Sequence, residues 1–384
     1  MVAAQAAEPE HRLNRMTQNT AHDLSTGPHP GVNAVNRVIG ELRRGMPIVL
    51  HGGGRALLVA AAESGHDPAT LGQLTGNPIS CLVTDQRAIA LGLDPISART
   101  VSVVPAAGLT IASIAAMTGD TPESTRPVVT ITAPGQPLQE AAVDLTKFSR
   151  LLPAALTTPI AGDALDFAKQ HDFLSVSSGD VAGYSYAATE LTPSEISARV
   201  PLQGAEDARF VAFRPADGGK EHIAIIIGDP DPSEPVLARL HSECFTGDLL
   251  GSLRCDCGDQ LRGAVEAIAQ DGGGLLLYLA QEGRGIGLAN KLRAYRLQDT
   301  GFDTIDANEE LGFGADERVY APAAGILHRL GFSRIRLMTN NPIKLSALAE
   351  HGIEVVDRIT HAFPSNGHNE HYLETKATRS GHMF

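Results

Sequence analysis

Cys244, Cys255 and Cys257 fall within one short stretch, Arg239-Leu-His-Ser-Glu-Cys-Phe-Thr-Gly-Asp-Leu-Leu-Gly-Ser-Leu-Arg-Cys-Asp-Cys-Gly258, and the only other cysteine is Cys81. Thiolates are soft ligands suited to zinc, and a Cys-x-Cys pair can give one ion two ligands from a single tight turn. An isolated cysteine is more often a small buried apolar side chain. Three so close together, interleaved with Arg254, Asp256 and Asp259, make poor core material. A structural zinc is normally closed by four protein ligands, whereas a catalytic one keeps a position for water or substrate. Three cysteines without a fourth nearby therefore predict an open metal centre, one that activates water near neutral pH beside an electrophile.

Gln281-Glu-Gly-Arg-Gly-Ile-Gly287 follows an apolar run and precedes a helical pattern. Glycines at such a turn let the backbone approach a phosphate, and the following helix N-terminus favours negative charge. A plain strand-to-helix turn has the same composition, but Glu282 and Arg284 are expected to face one crevice. Thr339-Asn-Asn-Pro-Ile-Lys344 repeats that geometry, with Asn341 suited to the N-cap and Pro342 to the first helical position. Thr339 and Lys344 would add phosphate contacts to that cap. Gly314-Ala-Asp-Glu-Arg318 sets an acid and an arginine two residues apart, which by itself reads as an exposed ion pair.

The elements that must position these groups are legible as alternating apolar periods. At 384 residues the chain can hold two cores. Val35, Val38, Ile39 and Leu42 recur at helical spacing before Gly45, and the strand 47–50 follows. Residues 79–84 and 100–104 read as strands and 164–171 as a helix. Residues 187–206 are polar and irregular in pattern, and the boundary is expected there. Beyond it, strands are predicted at 222–227, 235–240, 274–279, 334–338 and 353–357, and helices at 259–271, 287–299 and 343–351. The apolar run 274–279 reads as a strand buried on both faces. The expected fold is α/β (α+β): two domains, each a mixed sheet with flanking helices. The first would span 31–200 and the second 201–384, behind a disordered arm over 1–30. A net charge of −13 argues against general nucleic-acid affinity. No run of eighteen apolar residues exists, so no membrane segment is expected. The first thirty residues lack the apolar core of a signal peptide, and clustered thiols fit the cytoplasm.

His241-Ser-Glu-Cys-Phe-Thr-Gly-Asp, Leu253-Arg-Cys-Asp-Cys-Gly, Gln281-Glu-Gly-Arg, Gly312-Phe-Gly-Ala-Asp-Glu-Arg and Leu337-Met-Thr-Asn-Asn-Pro-Ile-Lys, taken in order, closely resemble GTP cyclohydrolase II. The resemblance runs from about Phe210 to the end, including the tail Asn369-Glu-His-Tyr-Leu-Glu-Thr-Lys376. It implies a riboflavin-pathway enzyme that opens the imidazole ring of GTP, releases formate and pyrophosphate, and leaves a diaminopyrimidinone ribosyl monophosphate. It implies Cys244, Cys255 and Cys257 as zinc ligands, with the zinc water directed at C8 of guanine, and magnesium on the triphosphate. Arg239, Leu240, His241, Ser242, Glu243, Gln260, Glu282, Gly283, Arg284, Thr304, Thr339 and Lys344 match GTP-binding positions, Gln260 reading the guanine. Asp316 matches a proton acceptor, Tyr295 a residue of the ring-opening steps, and Arg318 an arginine proposed as nucleophile on the α-phosphate. A guanidinium stays protonated near neutral pH, so stabilising phosphoryl charge suits Arg318 better. Gly285 stands where family members often carry asparagine. A homodimer is implied by the resemblance alone.

The first half more faintly resembles 3,4-dihydroxy-2-butanone 4-phosphate synthase, through Ala34 to Leu50, Cys81 to Leu93 and Glu140 to Leu145. That family binds magnesium through an acidic run after its first strand and a His-Thr-Glu motif. Here His51-Gly-Gly-Gly-Arg-Ala56 and Leu138-Gln139-Glu140 stand in those places, and a hard cation needs the missing oxygens. The expectation is an inactive domain kept for packing, dimerisation or regulation. Two other readings stay open: a paralogue that opens GTP in another pathway, such as pyrimidine catabolism, and a GTP-binding regulator whose zinc is structural.

Overall fold

A computed structural model describes residues 30–94, 97–119, 121, 126–187, 190–364 and 367. The arm expected over 1–30, apart from Pro30, and the tail 369–376 lie outside the described residues. The first sheet comprises β1 (Ile48–Gly52), β2 (Arg55–Ala61), β3 (Ser80–Thr84), β4 (Thr100–Pro105), β5 (Val129–Pro134), β6 (Ala154–Pro159) and β7 (Ser175–Ser177). Their order is β5-β4-β3-β6-β2-β1-β7, with β1 and β7 parallel and every other neighbour pair antiparallel. The helix Pro30–Arg43 forms because Val32, Val35, Val38 and Leu42 share one buried stripe. β1 and β2 are joined at Gly53-Gly54, whose φ angles of 58° and 73° suit a tight hairpin that other residues adopt with strain. That turn occupies the place where an acidic run was sought.

The second sheet comprises β8 (Leu191–Arg199), β9 (Arg209–Pro215), β10 (His222–Ile227), β11 (Val236–Ser242), β12 (Gly274–Leu279), β13 (Arg334–Met338) and β14 (Glu354–Ile359). Their order is β14-β13-β11-β12-β10-β9-β8, parallel from β14 to β12 and antiparallel from there to β8. Mixed sheets with flanking helices are thus present in both halves. β12 is buried on both faces as predicted: Leu275, Leu277 and Leu279 enter one core cluster and Leu276 the opposite one. One reading fails. Residues 191–199, expected to be irregular, form a nine-residue strand. Among the described residues β8 is an edge strand with β9 as its one neighbour, so it can be polar and can hold Pro193 without the alternation that marks an inner strand.

The two halves share packing. Leu152 joins Ile286, Ala294, Leu297, Ala307, Leu311 and Phe313 in one buried cluster. Arg87, 1% exposed, and Arg126 both pair with Glu310, and Thr84 Oγ1 donates to the Gly312 carbonyl at 2.7 Å. Buried charges persist only when paired in this way.

Candidate active site

β11 ends at Ser242 and delivers Cys244 into a π-helical turn, Phe245–Leu249. Cys255 and Cys257 stand at the start of the helix Cys257–Gln270. The Cys244 and Cys255 sulfurs lie 3.7 Å apart, and all three sulfurs fall within 4.8 Å of one another. A Cβ at Gly247 would sit 2.8 Å from the Cys255 sulfur and 3.0 Å from that of Cys244, so only glycine lets the turn close over the cluster. Hydrogen bonds from Cys255 and Cys257 hold the Cys244 thiol far below its ordinary value, and proton sharing with Cys244 pushes the other two up. Three thiolates at this distance cannot all ionise unless a cation stands between them. The donor set, its spacing and the glycine cradle fit a soft divalent ion.

Around the cluster lies a second layer in which Asp248, Tyr278 and Lys291 were not singled out from the sequence. Asp248 accepts from the Cys244 amide and from the Tyr278 hydroxyl, both at 2.9 Å, and pairs with His241 Nε2 at 3.0 Å. Burial holds the His241 imidazole below its usual range. Lys291 Nζ reaches Cys244 Sγ at 3.1 Å, Thr246 Oγ1 at 3.2 Å and Glu282 Oε1 at 2.8 Å. Burial works against this ammonium, but the Glu282 carboxylate and the Cys244 sulfur outweigh it and raise its pKa. Lys291 was detectable as the residue one helical turn before Tyr295 (i, i+4).

The helix Leu288–Gln298 carries both residues, and it is two-faced. Lys291, Tyr295 and Gln298 line the cavity, while Asn290 donates to the Arg150 carbonyl at 3.0 Å and Arg293 forms a bidentate pair with Glu63 at 3.2 Å. Arg254 and Lys291 stand 5.0 and 5.7 Å from the centre of the Tyr295 ring. Burial raises the Tyr295 phenol.

Before that helix, Gly283 and Arg284 both adopt left-handed backbone, with φ of 65° and 60°. For arginine this is a strained conformation that surrounding contacts must impose. Glu282, buried behind the turn, accepts from the Phe245 amide at 2.6 Å and the Gly283 amide at 2.8 Å. Glu282 and Arg284 do line the same crevice, as expected.

Arg239, also in the lining, donates to the Met338 carbonyl at 2.9 Å and to Gln260, and its Nε has no partner among the described residues. Burial lowers its pKa to about 10, which leaves it charged at neutral pH. Lys344 Nζ donates to the Leu240 carbonyl at 2.7 Å. The helix Ile343–Glu350 begins where predicted, but Pro342, expected as its first residue, is its N-cap instead, and Asn341, expected at the cap, accepts from the Ile343 amide at 3.0 Å.

One cavity gathers these groups. Arg239, Leu240, His241, Ser242, Glu243, Cys244, Cys255, Cys257, Gln260, Glu282, Gly283, Arg284, Tyr295, Thr304, Arg318, Thr339 and Lys344 all line it. Arg254, Gln298, Asn308, Asn340 and Asn341 add polar groups that the sequence did not flag as ligand contacts. Asp316 alone of the expected residues is outside the lining. It sits beside Arg318, accepting from the Arg318 amide at 3.0 Å and from its Nε at 2.8 Å. The pair is largely buried rather than exposed, at 13% and 20% of side-chain surface. Burial raises the Asp316 carboxyl, but the hydrogen bonds and charge of Arg318 outweigh it and hold the group below its ordinary value. The cavity therefore combines a cysteine cluster that could hold a soft metal, several cations for an anionic ligand, and the Tyr295 ring in its wall.

A family model described as GTP cyclohydrolase II matches residues 194–360. A GTP cyclohydrolase-2 from Azospirillum brasilense is 52% identical over 368 residues, covering 92% of this chain and 94% of that protein. One from Xylella fastidiosa (strain Temecula1) is 40% identical, covering 93% of this chain and 90% of that protein. A riboflavin biosynthesis protein RibBA from Synechocystis is 43% identical over 64% of this chain and 46% of its own length. Among solved structures, a two-domain 3,4-dihydroxy-2-butanone 4-phosphate synthase from A. baumannii aligns over 86% of this chain and 99% of its own, at 16% identity and a TM-score of 0.33.

Proposed function

This chain belongs to the GTP cyclohydrolase II family of enzymes, and on that premise we propose that it hydrolyses GTP to formate, pyrophosphate and a diaminopyrimidinone ribosyl monophosphate. The observation that carries the reading is the convergence of the three cysteines and the fixed cations Arg239, Arg284, Arg318 and Lys344 on one cavity. The relatives named for riboflavin biosynthesis support that pathway over the paralogue reading. Reduced thiols at the centre of the site suit the cytoplasm.

Cys244, Cys255 and Cys257 would hold zinc, and when bound the ion supplies Lewis-acid activation of water for attack at C8 of guanine. Gln260, tethered between Arg239 and Asp256, would present its amide to the guanine edge. Arg284, Arg318 and Lys344 would hold the triphosphate, with magnesium sharing its charge. Arg318 is oriented by Asp316 through a two-point contact, so it can meet developing phosphoryl charge without rearrangement. Asp316, held low and outside the lining, is better suited to that orienting role than to accepting a proton itself. Tyr295 would stand over the reacting ring, packed by Lys291 and Arg254. In the first half, a Gly-Gly hairpin stands in place of the acidic run a hard cation needs, and Leu138-Gln139-Glu140 keeps only the glutamate of its motif, which supports an inactive synthase-like domain. A homodimer is the assembly this family membership suggests.

Incubation of the pure protein with GTP, magnesium and zinc tests the reading. Formate and pyrophosphate should appear in equal amounts with the pyrimidine product. Pyrophosphate alone would mean that ring opening is lost, and no turnover would favour the regulator.

A further inference from the structure

The two halves meet the catalytic loop at Glu317, a side chain outside the cavity lining. Lys147 lies in the helix Pro137–Phe148 of the first half and reaches Glu317 Oε1 at 2.7 Å. The same oxygen accepts from the Gly314 amide at 2.8 Å, so Lys147 braces the loop end to end. The Glu317 amide donates to the Arg284 carbonyl at 3.0 Å, and Arg284 Nη1 returns a bond to the Ala315 carbonyl at 3.3 Å.

Gly285 explains how the two loops come so close. A Cβ there would lie 2.7 Å from the Glu317 carbonyl oxygen and 2.8 Å from its carbon, and the φ of 96° is one that side chains rarely adopt. The departure at Gly285 and the docked first half thus act on the same residue. Its two neighbours, Asp316 and Arg318, form the pair that aims a guanidinium into the cavity.

We propose that the first domain is an intramolecular clamp on the GTP-opening site, with Lys147 a positioning residue that sets Arg318 through Glu317. This rests on the reading of the cavity given above. Lys147 and Glu317 keep 27% and 22% of their side-chain surface exposed, so their pair contributes little to global stability. Its consequence lies in placement, since a shift of about 1 Å in a charge-stabilising group can cost a hundredfold in rate.

The test uses the full-length chain with GTP, magnesium and zinc. Lys147→Met should lower kcat about tenfold, with KM changed less than twofold and thermal unfolding unaltered. Lys147→Arg should stay near wild type, and Lys147→Met combined with Glu317→Gln should be no worse than the poorer single variant. Amide exchange over 314–318 should rise in Lys147→Met. Wild-type kcat together with wild-type exchange in that variant would overturn the clamp. An inert wild-type protein would instead sink the functional reading, and the exchange measurement would still decide the clamp.

Discussion

The Lys291 ammonium stands 3.1 Å from the Cys244 sulfur and 2.8 Å from Glu282 Oε1, which ties the three-cysteine cluster to the turn Glu282–Gly285 at the cavity wall. Glu282 also fixes the Phe245 amide, the residue directly after Cys244. Outer partners of this kind typically contribute ten- to a hundredfold to metal affinity. Lys291→Met should therefore weaken zinc binding at least about tenfold in a chelator competition, with the fold intact by circular dichroism. Unchanged affinity would show that Lys291 only fills space beside the cluster.

The Asp316–Arg318 contact predicts a split in steady-state kinetics. Asp316→Asn keeps the shape but loses the charge that orients the guanidinium, so kcat should fall about a hundredfold while KM moves much less. Arg318→Lys should fall comparably, because an ammonium cannot reproduce the two-point fork. Near-normal kcat in both would remove the pair from the mechanism.

How far the sequence reveals this site depends on what each residue answers to. Cys244, Cys255 and Cys257 are close in sequence, so their convergence is local and readable. Glu282, Arg284, Thr339 and Lys344 follow strands, and the rule that sheet ligands bind at carboxyl strand ends brings them together. Lys147, Glu63 and Arg87 were not legible, because their roles depend on how two domains dock, and no period records docking. β8 was missed because an edge strand with one neighbour has no need of alternation. Asp316 reads by spacing alone as half of an exposed ion pair, and only the resemblance implies a proton acceptor there, whereas packing buries it against Arg318 and outside the cavity lining.

Two histidines give the fold a pH dependence. Burial lowers His222 and His361 to about 4 from an ordinary value of 6.5. His222 Nδ1 accepts from the Ala280 amide at 3.1 Å, and His361 Nε2 stands 2.8 Å from the Gln260 carbonyl. Between pH 6.5 and 4 the unfolded chain binds more protons than the folded one, so stability rises with pH through that window and is lost as pH falls. Each histidine should contribute roughly 3 kcal/mol of that loss. His222→Gln, which keeps an acceptor for Ala280, should flatten the decline measured by urea unfolding. An unchanged slope would contradict the assignment.

The first domain should be chemically silent. The full-length chain with magnesium is expected to leave ribulose 5-phosphate unconverted, because the hairpin at Gly53-Gly54 offers no carboxylate and Leu138-Gln139-Glu140 keeps only the glutamate of its motif. Appearance of a dihydroxybutanone phosphate would overturn that view.

The central claim is that the three cysteines form a metal centre that opens the guanine ring. Zinc titrated into metal-free protein, with bound metal and formate from C8-labelled GTP followed together, tests it most directly. One zinc per chain should bind, formate release should rise in proportion to occupancy, and Cys255→Ser should neither hold the metal nor release formate. Formate from metal-free protein, or from Cys255→Ser at the wild-type rate, would contradict it.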